Sequence, residues 1–93
     1  MTNFKPLKNY QARVFIKLRP SVLDPAGEAT KSAAKRLGVD GIKKIRIGKS
    51  VDLELLAPDE QEAKKQIELL SDRLLANPVI EDWSYELHTS AQN

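Results

Sequence analysis

The pair Asn77-Pro78 separates two incompatible periodicities, and that separation limits what the chain can become. Before it, Ala63, Ile67, Leu70 and Leu74 recur at i, i+4, i+7 and i+11, the spacing of one buried helical face. After it, Trp83, Tyr85 and Leu87 alternate with Asp82, Ser84 and Glu86, the period of a strand with one covered face. Proline disfavours the helical conformation of the residue before it, so the helix has to stop at this point. A helix handing over directly to a half-buried strand asks for a layered α+β fold.

The same alternation of periods occurs once earlier. Ala12, Val14, Ile16 and Leu18 alternate with Arg13, Phe15 and Lys17, which predicts a strand that Pro20 ends. Asp24-Pro25 supplies a capping oxygen followed by proline at the first helical position, where its missing N–H is harmless. The helix that starts there is expected to run to about Leu37, bury Ala29, Ala33 and Leu37 against a sheet, and close on Gly38. Ile45 and Ile47 share one parity, as do Val51, Leu53 and Leu55, and Gly48-Lys49-Ser50 between them carries the residue a tight turn requires. These residues predict a hairpin of two strands. Pro58-Asp59-Glu60 then opens the second helix with acidic groups at its positive end.

The resulting order, β-α-β-β-α-β, with right-handed crossovers, predicts a two-layer ferredoxin-like plait: a four-stranded antiparallel sheet in spatial order 4-1-3-2 with two helices on one face. The uncovered face tests that order. It carries Arg13, Lys17 and Arg19 on the first strand, Lys44 and Arg46 on the second, Asp52 and Glu54 on the third, and Asp82 and Glu86 on the fourth. In this order basic and acidic rows alternate, so neighbouring strands attract. Residues 12–88 read as one domain, 1–11 as an N-terminal extension and 89–93 as a tail. Phe15, Leu56 and Ile80 fall on the open face and suggest that another subunit covers it.

With 93 residues and no cysteine, the chain has a thin core and neither disulfides nor thiolate metal sites to reinforce it, which favours association. Fifteen basic and 13 acidic residues are interspersed, a balance too even to argue for nucleic acid. No apolar run is long enough to span a bilayer, and the N-terminus lacks a secretory signal, so no membrane and a cytoplasmic location are expected.

Groups that carry chemistry are sparse. His88 stands alone near the C-terminus with no nucleophile or second metal ligand at a useful spacing. Asp59-Glu60 and Glu81-Asp82 fit a helix start and a strand start better than an acid and base pair. Gly27, Gly38, Gly41 and Gly48 form no phosphate-cradling loop. Catalytic, metal and cofactor-binding residues are therefore all expected to be absent. An RNA-binding reading fails because Asp52 and Glu54 would repel phosphate. An amino-acid-sensing regulatory module survives as an alternative.

Three phrases in sequence order go further: Val22-Leu23-Asp24-Pro25 followed by Gly27, Val39-Asp40-Gly41 leading to Ile45-Arg46-Ile47-Gly48-Lys49, and Leu75-Ala76-Asn77-Pro78-Val79-Ile80-Glu81-Asp82. In their order and spacing the chain resembles the PurS family, small subunits of phosphoribosylformylglycinamidine synthase. The resemblance implies a non-catalytic subunit of a purine-biosynthetic C–N ligase that uses glutamine as amido donor. It would bridge a PurQ-type glutaminase subunit, which releases ammonia, and a PurL-type synthase subunit, which uses ATP and Mg to transfer it to formylglycinamide ribonucleotide. It also implies a homodimer or homotetramer. Arg46, Gly48 and Lys49 of the hairpin and Asn77 and Pro78 of the turn are the expected partner contacts, because loops on a rigid scaffold usually carry them. Phe15 and Ile80, with Lys17 and Asp82 at the rim, are the expected self-association contacts.

Overall fold

The computed structural model describes residues 6–89. Its elements are β1 (Lys8–Leu18), α1 (Pro25–Arg36), β2 (Gly48–Ala57), α2 (Glu60–Leu70) with a π-helical turn (Ser71–Leu75), and β3 (Glu81–Thr89). The three strands form an antiparallel sheet in the order β2-β1-β3. Arg13 faces Asp52 on one side and Glu86 on the other, and Lys17 faces Asp82, so these charge rows do alternate across the sheet.

β1 begins at Lys8, four residues before the alternation recognised from Ala12, and brings Tyr10 into a buried cluster with Ala57 and Ala63. The main core joins Ala12, Val14 and Ile16 to Ile67 and Ala76. Residues 1–5 of the expected extension and 90–93 of the expected tail lie outside the described residues.

The expected fourth strand and its hairpin are absent from the described residues. The chain instead passes straight through Gly48-Lys49-Ser50, which pair with Lys17, Ile16 and Phe15 as the first rungs of β2. The reason is local competition: the Ile47 N–H donates to the Asp24 carboxylate at 2.7 Å, and Gly27 lies so close to Ile45 that a Cβ there would strike the Ile45 carbonyl oxygen. Residues 45–47 are thereby fastened to the start of α1 and cannot turn back along β2.

For the same reason α1 does not cover the sheet. Its N-cap forms as expected, with Asp24 accepting from the Gly27 N–H at 2.9 Å. Ala29, however, is exposed and Leu37 is 83% exposed. Helix and returning segment form an arm that continues the long axis of β1 and β2. The Cα trace measures 67 × 32 × 13 Å with a radius of gyration of 18.3 Å, against about 12 Å for a compact domain of this length.

Among the described residues α2 is the helix seated on the sheet. Asp59 caps it by accepting from the Glu62 N–H at 2.8 Å, and Ala63 and Ile67 are fully buried. Leu74, expected on the same face, is 71% exposed. The cause is the π turn, closed by Ala76 N–H donating to the Ser71 carbonyl at 3.0 Å. Widening the helix rotates later residues off the 3.6-residue face, so Ser71 and Ala76 are buried where Leu74 was expected.

Candidate functional site

The root of the arm concentrates the polar contacts. Arg46 places its guanidinium among main-chain carbonyls, donating to Val22 at 2.9 Å, Arg19 at 2.7 Å and Leu18 at 3.4 Å. Arg19 in turn donates to the Pro78 carbonyl at 2.6 Å, lies 3.3 Å from the Asp82 carboxylate, and pairs its N–H with the Ile80 carbonyl at 2.9 Å. Asn77 closes the adjoining turn: its side-chain oxygen accepts from Val79 N–H at 3.0 Å and its own N–H donates to Glu81 at 2.7 Å. Residues 18–22 therefore join the arm to the 77–80 turn at one end of the sheet.

This geometry divides the expected contact residues. Arg46, Asn77 and Pro78 all serve internal bonds at that junction. Gly48 lies opposite Lys17, where a Cβ would come within 2.9 Å of the Ile16 carbonyl oxygen, so close strand approach accounts for the glycine. Lys49 keeps its side chain in solvent. Phe15, Lys17, Gly48, Lys49 and Asp82 line one shallow groove at the end of the sheet where β1 finishes and β2 and β3 begin. Two sets of residues that the sequence kept apart thus share a surface. Ile80 stays outside this groove, in the turn before β3. Asp24 and Arg19 are the residues sequence reading missed as organisers; both stood beside the prolines that marked element ends.

The open face otherwise shows charge pairing. Arg13 Nε lies 2.7 Å from Asp52, and this contact holds the Asp52 carboxyl below its ordinary range while raising the guanidinium. His88 is exposed, 3.8 Å from Glu86. On the other face the Tyr85 hydroxyl donates to Glu68 at 2.7 Å; burial, then this bond and the Glu68 charge, push its pKa up to about 12. Among the described residues no cluster of three or more His, Cys, Asp or Glu side chains could hold a metal ion. No helix among them is long and apolar enough to cross a membrane. What the arrangement offers is surface and rigid joints.

Comparison with known proteins agrees with the phrases in the sequence. Residues 11–89 match the family described as PurS, phosphoribosylformylglycinamidine (FGAM) synthase. The phosphoribosylformylglycinamidine synthase subunit PurS of Synechocystis is 49% identical over 79 residues, 85% of this chain and 79% of that protein. Its namesake from Mycobacterium leprae is 40% identical over 74 residues, 80% and 90% of the two chains. Among solved structures, Bacillus subtilis PurS superposes with a TM-score of 0.75 at 33% identity, covering 85% of this chain and 98% of that one. A chain in the structure of PurLQS from Thermotoga maritima gives 0.75 at 30% identity, covering 87% and 96%. Sequence and fold agree, and the chain belongs to the PurS family of phosphoribosylformylglycinamidine synthase subunits.

Proposed function

We propose that this chain is the non-catalytic small subunit of phosphoribosylformylglycinamidine synthase in cytoplasmic de novo purine synthesis, bridging a PurQ-type glutaminase and a PurL-type synthase. The observation that carries this reading is the family match over residues 11–89, together with similarity to a chain of a PurLQS assembly. Ammonia released into water would be protonated and diluted, whereas a closed joint between two active sites keeps it neutral and local. ATP and Mg belong, in this reading, to the synthase subunit. The groove of Phe15, Lys17, Lys49 and Asp82 supplies contact surface at the end of the sheet, for a partner subunit or a second copy.

Reconstitution tests this. Glutamine-dependent product formation by the two large subunits should vanish without this chain, while synthesis from added ammonia should persist. Equal glutamine-dependent rates with and without it would overturn the proposal.

A further inference from the structure

The groove at the end of the sheet holds charge that the chain leaves unmatched. Among the described residues Lys17 and Lys49 both line it and enter no ion pair. Asp82, across the rung from Lys17, is already met by Arg19, whose Nε lies 3.3 Å away. Gly48, opposite Lys17 and next to Lys49, contributes no side chain, and Ser50 adds a hydroxyl two residues further along β2. This corner is basic and unfilled, which suits a phosphate group: two ammonium groups balance the charge of roughly −1.5 to −2 that a phosphate monoester carries at pH 7.

The neighbouring rung supplies a flat apolar surface. Phe15 stands on the middle strand between Ser50 and Ser84, with 39% of its surface exposed. An aromatic ring bordered by two short polar side chains is a platform on which a base can stack. Beyond it, Ser84 and Asp82 on β3 present oxygens that accept from an exocyclic amine. The outer strands lie roughly 10 Å apart, the reach from the edge of a base to its phosphate. The groove offers about 670 Å³, within the range of roughly 300–1,000 Å³ of small-molecule clefts.

We propose that this groove binds a nucleoside monophosphate, with the base stacked on Phe15, its amino edge towards Ser84 and Asp82, and its phosphate over Gly48 among Lys17, Lys49 and Ser50. A single nucleotide fits where a strand of RNA does not. Asp52 and Glu54 follow Ser50 on the same face of β2, so a further phosphate carried along the sheet would meet carboxylates. Side chains hold the phosphate without a glycine-rich loop, so no phosphate-binding motif marks the site in the sequence. The site does not rest on the bridging role. A nucleotide held here and a subunit covering the groove would exclude one another.

Trp83, the single tryptophan of the chain, lines the same groove and reports on it. Titration of the full chain with AMP should change tryptophan emission saturably, with adenosine and inorganic phosphate each binding at least about tenfold more weakly. Phe15→Leu should weaken AMP by about tenfold, the effect of losing one stacked ring. Lys17→Gln combined with Lys49→Gln should bring AMP down to the affinity of adenosine with the circular dichroism spectrum unchanged, and Lys49→Gln alone, at an exposed position, should already weaken it. No saturable change with AMP, equal affinity for AMP and inorganic phosphate, undiminished binding by the lysine variants, or tighter binding of a single-stranded oligonucleotide than of AMP would each overturn the proposal.

Discussion

Asp24 bonds Ile47 across 23 positions of sequence, and this one carboxylate holds both halves of the arm: one oxygen caps α1 through Gly27 N–H at 2.9 Å and the other takes Ile47 N–H at 2.7 Å. The hydrogen bonds from Gly27 and Ile47 keep its pKa below the ordinary 3.8. A carboxylate whose folded pKa is depressed stabilises the fold fully above its unfolded pKa and loses that contribution as pH falls through the folded value. Asp24→Asn should therefore lower the melting temperature at pH 7, and the gap to the parent chain should shrink as pH drops below about 4. Thermal melts at several pH values between 2 and 7 check both parts; a constant gap would contradict the assignment.

Gly27→Ala tests the same joint from the other side. The added methyl would meet the Ile45 carbonyl and come within 3.1 Å of Asp24 Cγ. Overpacking against backbone costs about 1–3 kcal/mol. Urea denaturation should show a loss in that range, with hydrogen exchange accelerated first at Ile47.

Ser71 offers the opposite sign. Its hydroxyl is fully buried and makes no hydrogen bond, at the entry to the π turn. Leaving a buried polar group unsatisfied costs about 1–3 kcal/mol, so Ser71→Ala should gain stability of about 1 kcal/mol. A loss of stability in chemical denaturation would show that the hydroxyl has a role in the turn.

Arg46 and Lys49 should behave differently although they are three residues apart. Arg46→Ala removes charged donors from three carbonyls and should cost about 1.5–3 kcal/mol. Lys49→Glu, at an exposed site, should leave the melting temperature within measurement error and act only on recovery of the large subunits in a pull-down. If both variants melt alike, the junction described at Leu18, Arg19 and Val22 is wrong.

Tyr85 should ionise near pH 12. Because its folded pKa is raised, its contribution is complete below the unfolded value of about 10 and is lost as pH climbs towards the folded one. Glu68→Gln removes the acceptor charge and should bring the transition down, seen in ultraviolet difference titration against Tyr85→Phe. An unchanged titration would rule out the Glu68 contact.

The residues that speak through their immediate neighbours were legible. Asp24-Pro25, Asp59 and Asn77-Pro78 mark the element ends that the structure shows, and alternation along β1 and β3 identifies the covered face. Gly48-Lys49-Ser50 was misread because a turn and a straight rung both accept these residues; the choice is made by Asp24, 23 residues before Ile47. Leu74 was misplaced because nothing in the periodicity announces a π turn. Ala29 and Leu37 were misplaced: both are exposed, on α1 and at its C-cap, because the Ile47 bond to Asp24 carries that helix away from the sheet, which the apolar repeat alone does not announce. The expected contacts Arg46, Asn77 and Pro78 were drawn together by the fold, yet their bonding is inward.

The alternating charge rows of the open face have a kinetic consequence. Fields from neighbouring strands cancel within a few ångströms, and a net charge of +2 leaves little to act at a distance. Encounters with other subunits are then unsteered, and their association rates should scarcely respond to ionic strength. Discrimination is postponed to the moment of touch, when rows of opposite sign either fall into line or sit one strand out of step.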